Sequence, residues 1–162
     1  MTEIKHREKR ILWVISVLIT FFILLACGTG KDQDLVKAAM KGNTQAIEKL
    51  LAKGADVNAT DQKYRSTALM WAAHNGHTEA VKVLIRNGAA IDARREKGET
   101  ALWFAAQKGQ LDALKILVEN GAKTDIAGRD GDSAIAVAEK NGHAHVVDYL
   151  KQTGGPDQVP RD

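Results

Sequence analysis

Apolar residues in this chain come in short clusters, and the clusters recur in a fixed order. Ala68-Leu69-Met70-Trp71-Ala72-Ala73 runs into polar residues and Gly76, then Ala80-Val81-Lys82-Val83-Leu84-Ile85 runs into Asn87-Gly88. The same order returns 33 residues later, with Thr100 to Gly109 followed by Ala113-Leu114-Lys115-Ile116-Leu117-Val118 and Asn120-Gly121, and again from Ser133 to Gly142. An earlier copy, Leu35 to Ala59, fits at an offset of 34, since Gly42 and Gly54 stand 34 residues before Gly76 and Gly88. One extra residue therefore lies between Asn58 and Thr67. Each stretch has helical spacing but is shorter than the ~12–15 residues an isolated helix needs in water. The pattern predicts antiparallel helix pairs that bury their apolar faces against neighbouring pairs, which is a solenoid.

The details of each copy agree with that reading. Ala38-Ala39, Ala72-Ala73 and Ala105-Ala106 offer little bulk, so two helices and the next copy can approach closely. Gly76, Gly109 and Gly142 break the chain between helices, and the glycines of Asn87-Gly88 and Asn120-Gly121 supply a left-handed residue where the second helix stops. Polarity rises in the first copy (Lys37, Lys41, Glu48, Lys49, Lys53) and in the last (Glu139, Lys140, His145, Asp148, Lys151), as a capped array requires.

Several of these residues carry a resemblance. Gly54-Ala55-Asp56-Val57-Asn58-Ala59 is the closing element of an ankyrin repeat letter for letter, and Gly88-Ala89-Ala90-Ile91-Asp92-Ala93 nearly is. The Thr-x-Leu-x-x-Ala-Ala helix starts at Thr67 and Thr100 resemble the same family. Its usual Pro is replaced by Ala68, Ala101 and Ala134, and its usual His by Met70, Trp103 and Ala136. The resemblance covers residues 32–155 and implies an all-α ankyrin-repeat solenoid of about four helix-turn-helix units with hairpin loops (about 32–64, 65–97, 98–130 and 131–155), ahead of a flexible tail at 156–162.

In front of the array, Lys5, Arg7, Lys9 and Arg10 precede a 16-residue apolar run, Ile11 to Ala26, broken only by Ser16 and Thr20. That is the charge-then-apolar order of a secretory signal. The run is shorter than the roughly 20 residues of a spanning helix, and an uncleaved anchor is the alternative. The chain's single cysteine, Cys27, ends it in Leu24-Leu25-Ala26-Cys27, which resembles a bacterial lipoprotein signal. The resemblance implies cleavage after residue 26 and lipid on Cys27, with 27–31 as a tether. By the same resemblance, Gly28 after the cysteine, where such lipoproteins retained in the inner membrane carry Asp, implies the outer membrane.

Charge narrows the partners. The chain has 23 Lys and Arg against 20 Asp and Glu, net +3; the first 26 residues hold four and two of these, leaving 19 against 18, or +1. A balanced array without a long basic run is a poor match for nucleic acid. With Cys27 committed, no intrachain disulfide can form. Candidate chemistry is thin as well. His74 with His77, and His143 with His145, have metal-ligand spacing, yet the family places a His just after its turn glycine. Gly28-Thr29-Gly30-Lys31 lacks the rest of a phosphate loop. Asp130-Gly131-Asp132 lacks the oxygen ligands of a calcium loop, Gly128 and Ile126 standing in their places. The carboxylates are expected singly on solvated faces, so neither catalysis nor a cofactor is expected.

The resemblance implies instead a protein-binding surface at the hairpin tips and inner-helix ends. The tips hold Lys63, Tyr64, Arg65 and Ser66, then Arg94, Arg95, Glu96, Lys97 and Glu99, then Arg129, Asp130 and Asp132. The helix ends hold Met40, Lys41, His74, Asn75, Gln107, Lys108, Lys140 and Asn141. These side chains vary while the framework repeats. Tyr64 and the arginines are the expected anchors; Trp103 is either packed between repeats or a further anchor, Met70 fits either place, and Phe104 is expected in the core. The reading is of a monomeric, membrane-anchored envelope lipoprotein that binds another protein, as immunity or inhibitor protein of a toxic enzyme, as accessory factor for an envelope enzyme, or as a structural adaptor.

Overall fold

The computed structural model of the chain describes residues 30–128 and 131–153. Eight helices occupy them: α1 (30–40), α2 (Thr44–Ala52), α3 (Ala68–His74), α4 (Thr78–Arg86), α5 (Ala101–Lys108), α6 (Leu111–Glu119), α7 (Ala134–Lys140) and α8 (Ala144–Thr153). They pair along the chain, α3 with α4, α5 with α6 and α7 with α8, and the pairs stack in two layers. In one layer α5 packs between α3 and α7; in the other α4 packs between α2 and α6. Arg129 and Asp130 lie outside the described residues, as do the leader, Cys27 and the tail after Thr153.

The inner helices α3, α5 and α7 each start on a hydroxyl. Thr67 Oγ1 accepts from Met70 N, Thr100 Oγ1 from Trp103 N and Ser133 Oγ from Ala136 N, all at 3.2 Å, a cap contributing about 1 kcal/mol. Packing does the rest. Ala39, Ala72, Ala73, Ala105 and Ala106 are completely buried, as are Val81, Leu84, Leu114 and Leu117 of the second helices. Ile85, Ile116 and Val118 stay half-buried, so those helices are core on one face only.

The turn glycines tie each pair to the next. His77 lies against Gly42, where a Cβ would come within 2.6 Å of its Nδ1, and His143 lies against Gly109, where a Cβ would come within 2.7 Å. Each ring donates Nε2–H back across the interface, His77 to Met40 O (3.1 Å) and His143 to Gln107 O (3.0 Å). His145 does the same to Gly109 O (3.1 Å). These histidines are interface fasteners. Gln110 occupies the equivalent place over Gly76.

Between pairs the chain projects as hairpins, and the extra residue of the first copy lies in one of them. Gly128 N donates to Asp132 O and Arg95 N to Glu99 O, four residues apart, whereas Asp61 N donates to Ser66 O, five apart. Arg65 then takes the place of Gly98 and Gly131, with a left-handed φ of 52° against their 86° and 82°. The insertion is therefore within 62–64, and it makes the Tyr64 hairpin the longest.

Candidate protein-binding site

The inner helices present two large aromatics to the groove they line. Trp71 on α3 and Phe104 on α5 occupy the same place in successive copies, where the first copy has Lys37 and the last Val137. Both are half-buried. His74, one turn after Trp71, lies between them, its ring centroid 5.6 Å from Trp71 and 5.9 Å from Phe104. Tyr64 reaches down from its hairpin to within 5.8 Å of Trp71, edge to face, and keeps 44% of its surface exposed. Such aromatic pairs contribute about 0.5–1.5 kcal/mol beyond area burial. Together with Ser66, Met70 and Arg95 these rings enclose a cleft of about 70 Å³.

Arg95 connects the two hairpins that frame the cleft. Its Nε donates to Tyr64 O at 2.7 Å, its guanidinium stands 5.5 Å from the Phe104 centroid, and one terminal nitrogen is 4.0 Å from Glu99 Oε1. Below Tyr64, Asp61 organises the longer loop. Its carboxylate accepts from the N–H groups of Lys63 and Tyr64, from Ser66 N at 3.0 Å and from Trp71 Nε1 at 3.0 Å. Burial pushes the Asp61 carboxyl up, but donation from Tyr64, Trp71, Ser66 and Lys63 outweighs it and holds the group below its ordinary range. One carboxylate thus fixes both the hairpin and the Trp71 ring.

The structure brings part of the expected surface together. Lys63, Tyr64, Arg65, Arg94, Glu96, Lys97, Lys108, Lys140 and Asn141 are exposed, and Arg95, Gln107 and His74 are half-buried. Arg65 and Glu96 pair across the two tips at 3.6 Å, and Lys140 approaches Asp132 at 3.8 Å. Asn75 is only partly available, because its Nδ2 donates to Met40 O (2.9 Å) in the preceding pair.

Other expectations need correction. Ser66, 4% exposed, is the base of its hairpin, held there by its exchange of hydrogen bonds with Asp61, and offers little contact surface. Glu99, also 4% exposed, is no tip residue but a buried carboxylate, with Oε2 unpartnered among the described residues. It breaks the expectation of solvated carboxylates. Trp103 is buried, not an anchor: its ring covers Gly128, where a Cβ would come within 2.5 Å, and its Nε1 donates to Asp132 O at 3.2 Å. Met70 is buried too, its sulfur accepting from Thr67 N. Phe104, expected in the core, is instead a wall of the cleft.

Trp71, Phe104 and Asp61 are the residues that sequence reasoning missed. Two aromatics at one repeat position were a legible signal for the first two; for Asp61 the signal was an Asp two residues before the loop tip, a type that caps turns. Among the described residues no cluster of three or more His, Cys, Asp or Glu could hold a metal ion.

No curated protein matches the chain. A family model described as ankyrin repeats (3 copies) matches residues 35–128, which spans three of the four helix pairs and the aromatic cleft. With that match over more than half its length, and with stacked helix pairs joined by projecting hairpins, the chain belongs to the ankyrin-repeat family.

Proposed function

We propose that this chain is an envelope lipoprotein, held at a membrane by lipid on Cys27, whose repeats capture a partner protein through the aromatic cleft and the two hairpins around it. The carrying observation is the cleft itself. An array built from alanines and aliphatics buries its apolar surface between pairs, yet Tyr64, Trp71 and Phe104 remain partly open on the lining face. Trp, Tyr and Arg, the types that Trp71, Tyr64 and Arg95 supply here, are over-represented among the side chains that dominate binding energy at interfaces. The apolar faces of the helices are otherwise committed to packing between pairs.

The partner is an enzyme that the array either blocks, as an immunity or inhibitor protein, or supports, as an accessory factor; a membrane adaptor is the alternative use. Support for the anchor comes from the Leu24-Leu25-Ala26-Cys27 sequence. The test is capture from envelope extracts by the full chain, followed by a salt wash and identification of what stays bound. Tyr64→Ala with Phe104→Ala should retain helicity and lose affinity for that protein by more than tenfold, about 1.4 kcal/mol. Normal binding by this variant, with loss of binding in Lys82→Glu with Lys115→Glu, would put the interface on the second helices and refute the cleft.

A further inference from the structure

A solenoid leaves its first pair without a neighbour on one side, and here that open side is basic. A shallow groove between α1 and α2 is floored by Ala38, Ala46 and Leu50 and edged by Lys37, Lys41, Lys49 and Lys53, with Asp34 as its one carboxylate. Asp34 is spent on Lys37 at 3.2 Å. No ion pair among the described residues involves Lys41, Lys49 or Lys53. The groove at the opposite end of the array has no such row of lysines; it is edged by Glu139, paired with Lys151 at 2.9 Å, and by Asp148. The cluster of three lysines outside any ion pair is thus local to the open side of the first pair.

The basic end is also the end where the apolar run stops. Only residues 27–29 separate Ala26 from the first described residue of α1, a reach of at most ~14 Å even fully extended. Lys53 stands beside that start, its carbonyl accepting from Lys31 Nζ at 3.2 Å, while Lys41 lies at the other end of α1. The lysines thus span the whole open face, so that face can lie flat rather than touch at one point.

We propose that the open face of the α1–α2 pair docks on an anionic lipid surface, with Lys41, Lys49 and Lys53 among the headgroups. The inference rests on the membrane-anchor reading. Each basic side chain beside such a surface raises affinity on the order of fivefold, within a Debye length of about 10 Å. Docking sets the array's long axis away from the membrane, which presents the Tyr64 cleft to a partner at a fixed height.

The test places the full chain in vesicles of phosphatidylcholine alone or mixed 7:3 with phosphatidylglycerol, checks that it floats with them, and measures acylation of each lysine by a neutral reagent. Lys41, Lys49 and Lys53 should react at least fivefold more slowly in the anionic vesicles, with recovery in 0.5 M NaCl, while Lys108 and Lys140 change less than twofold. Lys37, which edges the same groove, should be slowed in the wild type as well and should recover its reactivity in a Lys41→Glu, Lys49→Glu, Lys53→Glu variant of unchanged helicity. Failure to float with either vesicle would overturn the anchor reading and docking with it. Flotation with Lys41, Lys49 and Lys53 as reactive as Lys108 and Lys140 in both vesicles would overturn docking alone. Protection that is the same in both vesicles would mean that the chain's own apolar run or a second copy covers the face, which also overturns it.

Discussion

Removing the Asp61 carboxylate should loosen the first hairpin and the aromatic cleft together. Of its four donors, the N–H groups of Lys63 and Tyr64 are exposed and can turn to water, whereas Ser66 N and Trp71 Nε1 are partly buried. Leaving a buried donor unpaired costs about 1–3 kcal/mol. Some water will enter the opened turn, so we expect Asp61→Ala to lose about 2–4 kcal/mol, which for an array of this size lowers Tm by roughly 6–15 °C. Asp34→Ala is the control, because its exposed pair with Lys37 at 3.2 Å contributes at most ~0.5 kcal/mol. Thermal unfolding followed by circular dichroism gives both numbers.

The same comparison has a pH arm. The Asp61 carboxyl titrates lower in the folded chain than its ordinary value of 3.8, so its stabilising effect is fully present above the unfolded value and is lost as pH falls through the folded one. The gap in Tm between wild type and Asp61→Ala should stay constant from pH 7 to pH 5 and shrink below about pH 4. An Asp61→Ala shift no larger than that of Asp34→Ala, or a gap that widens on acidification, would refute the role given to this carboxylate.

Leu117 is completely buried, so Leu117→Asp places an unpaired charge in the core and should abolish cooperative unfolding; retained helicity with an unchanged Tm would contradict the packing. Gly42→Ala and Gly54→Ala both force a side chain into a left-handed turn, with φ of 68° and 80°, but only at Gly42 does the new Cβ meet a neighbour, the His77 ring. Gly54→Ala should cost about 1 kcal/mol and Gly42→Ala at least twice that, and equal losses by chemical denaturation would show that the histidine fasteners do not bear on the interface. Cys27→Ser should lose incorporation of labelled fatty acid and accumulate unprocessed precursor; equal labelling of both proteins would remove the lipid anchor.

The fold was legible in the sequence because its determinants are local and repeated. Glycine at each turn, a hydroxyl at the starts of α3, α5 and α7 and paired alanines report the same backbone three or four times, so coincidence is averaged away. The shift from a 33- to a 34-residue offset even announced the longer hairpin, although only the Asp61–Ser66 pairing confines the insertion to 62–64. The site was less legible, for a geometric reason. Met70 and Trp71, like Trp103 and Phe104, are adjacent apolar residues on one helix, and adjacent residues point about 100° apart. One of each pair must enter the stack and the other the groove, but apolarity is the same for both. The choice depends on how α3, α5 and α7 are rotated against one another. Trp103 goes inward because Gly128 leaves room for its ring and Asp132 O accepts its N–H, contacts made across 25 and 29 residues of sequence. Phe104 is thereby left to line the cleft beside Arg95. Glu99 shows the same limit for charge: on the chain it reads as one more tip residue, and only the fold reveals that it is sealed beneath the arginine that bridges the two hairpins. The array's architecture is written in what its copies share, whereas the proposed binding surface lies where single copies depart from the pattern, at the inserted Tyr64 loop and the two aromatics of α3 and α5.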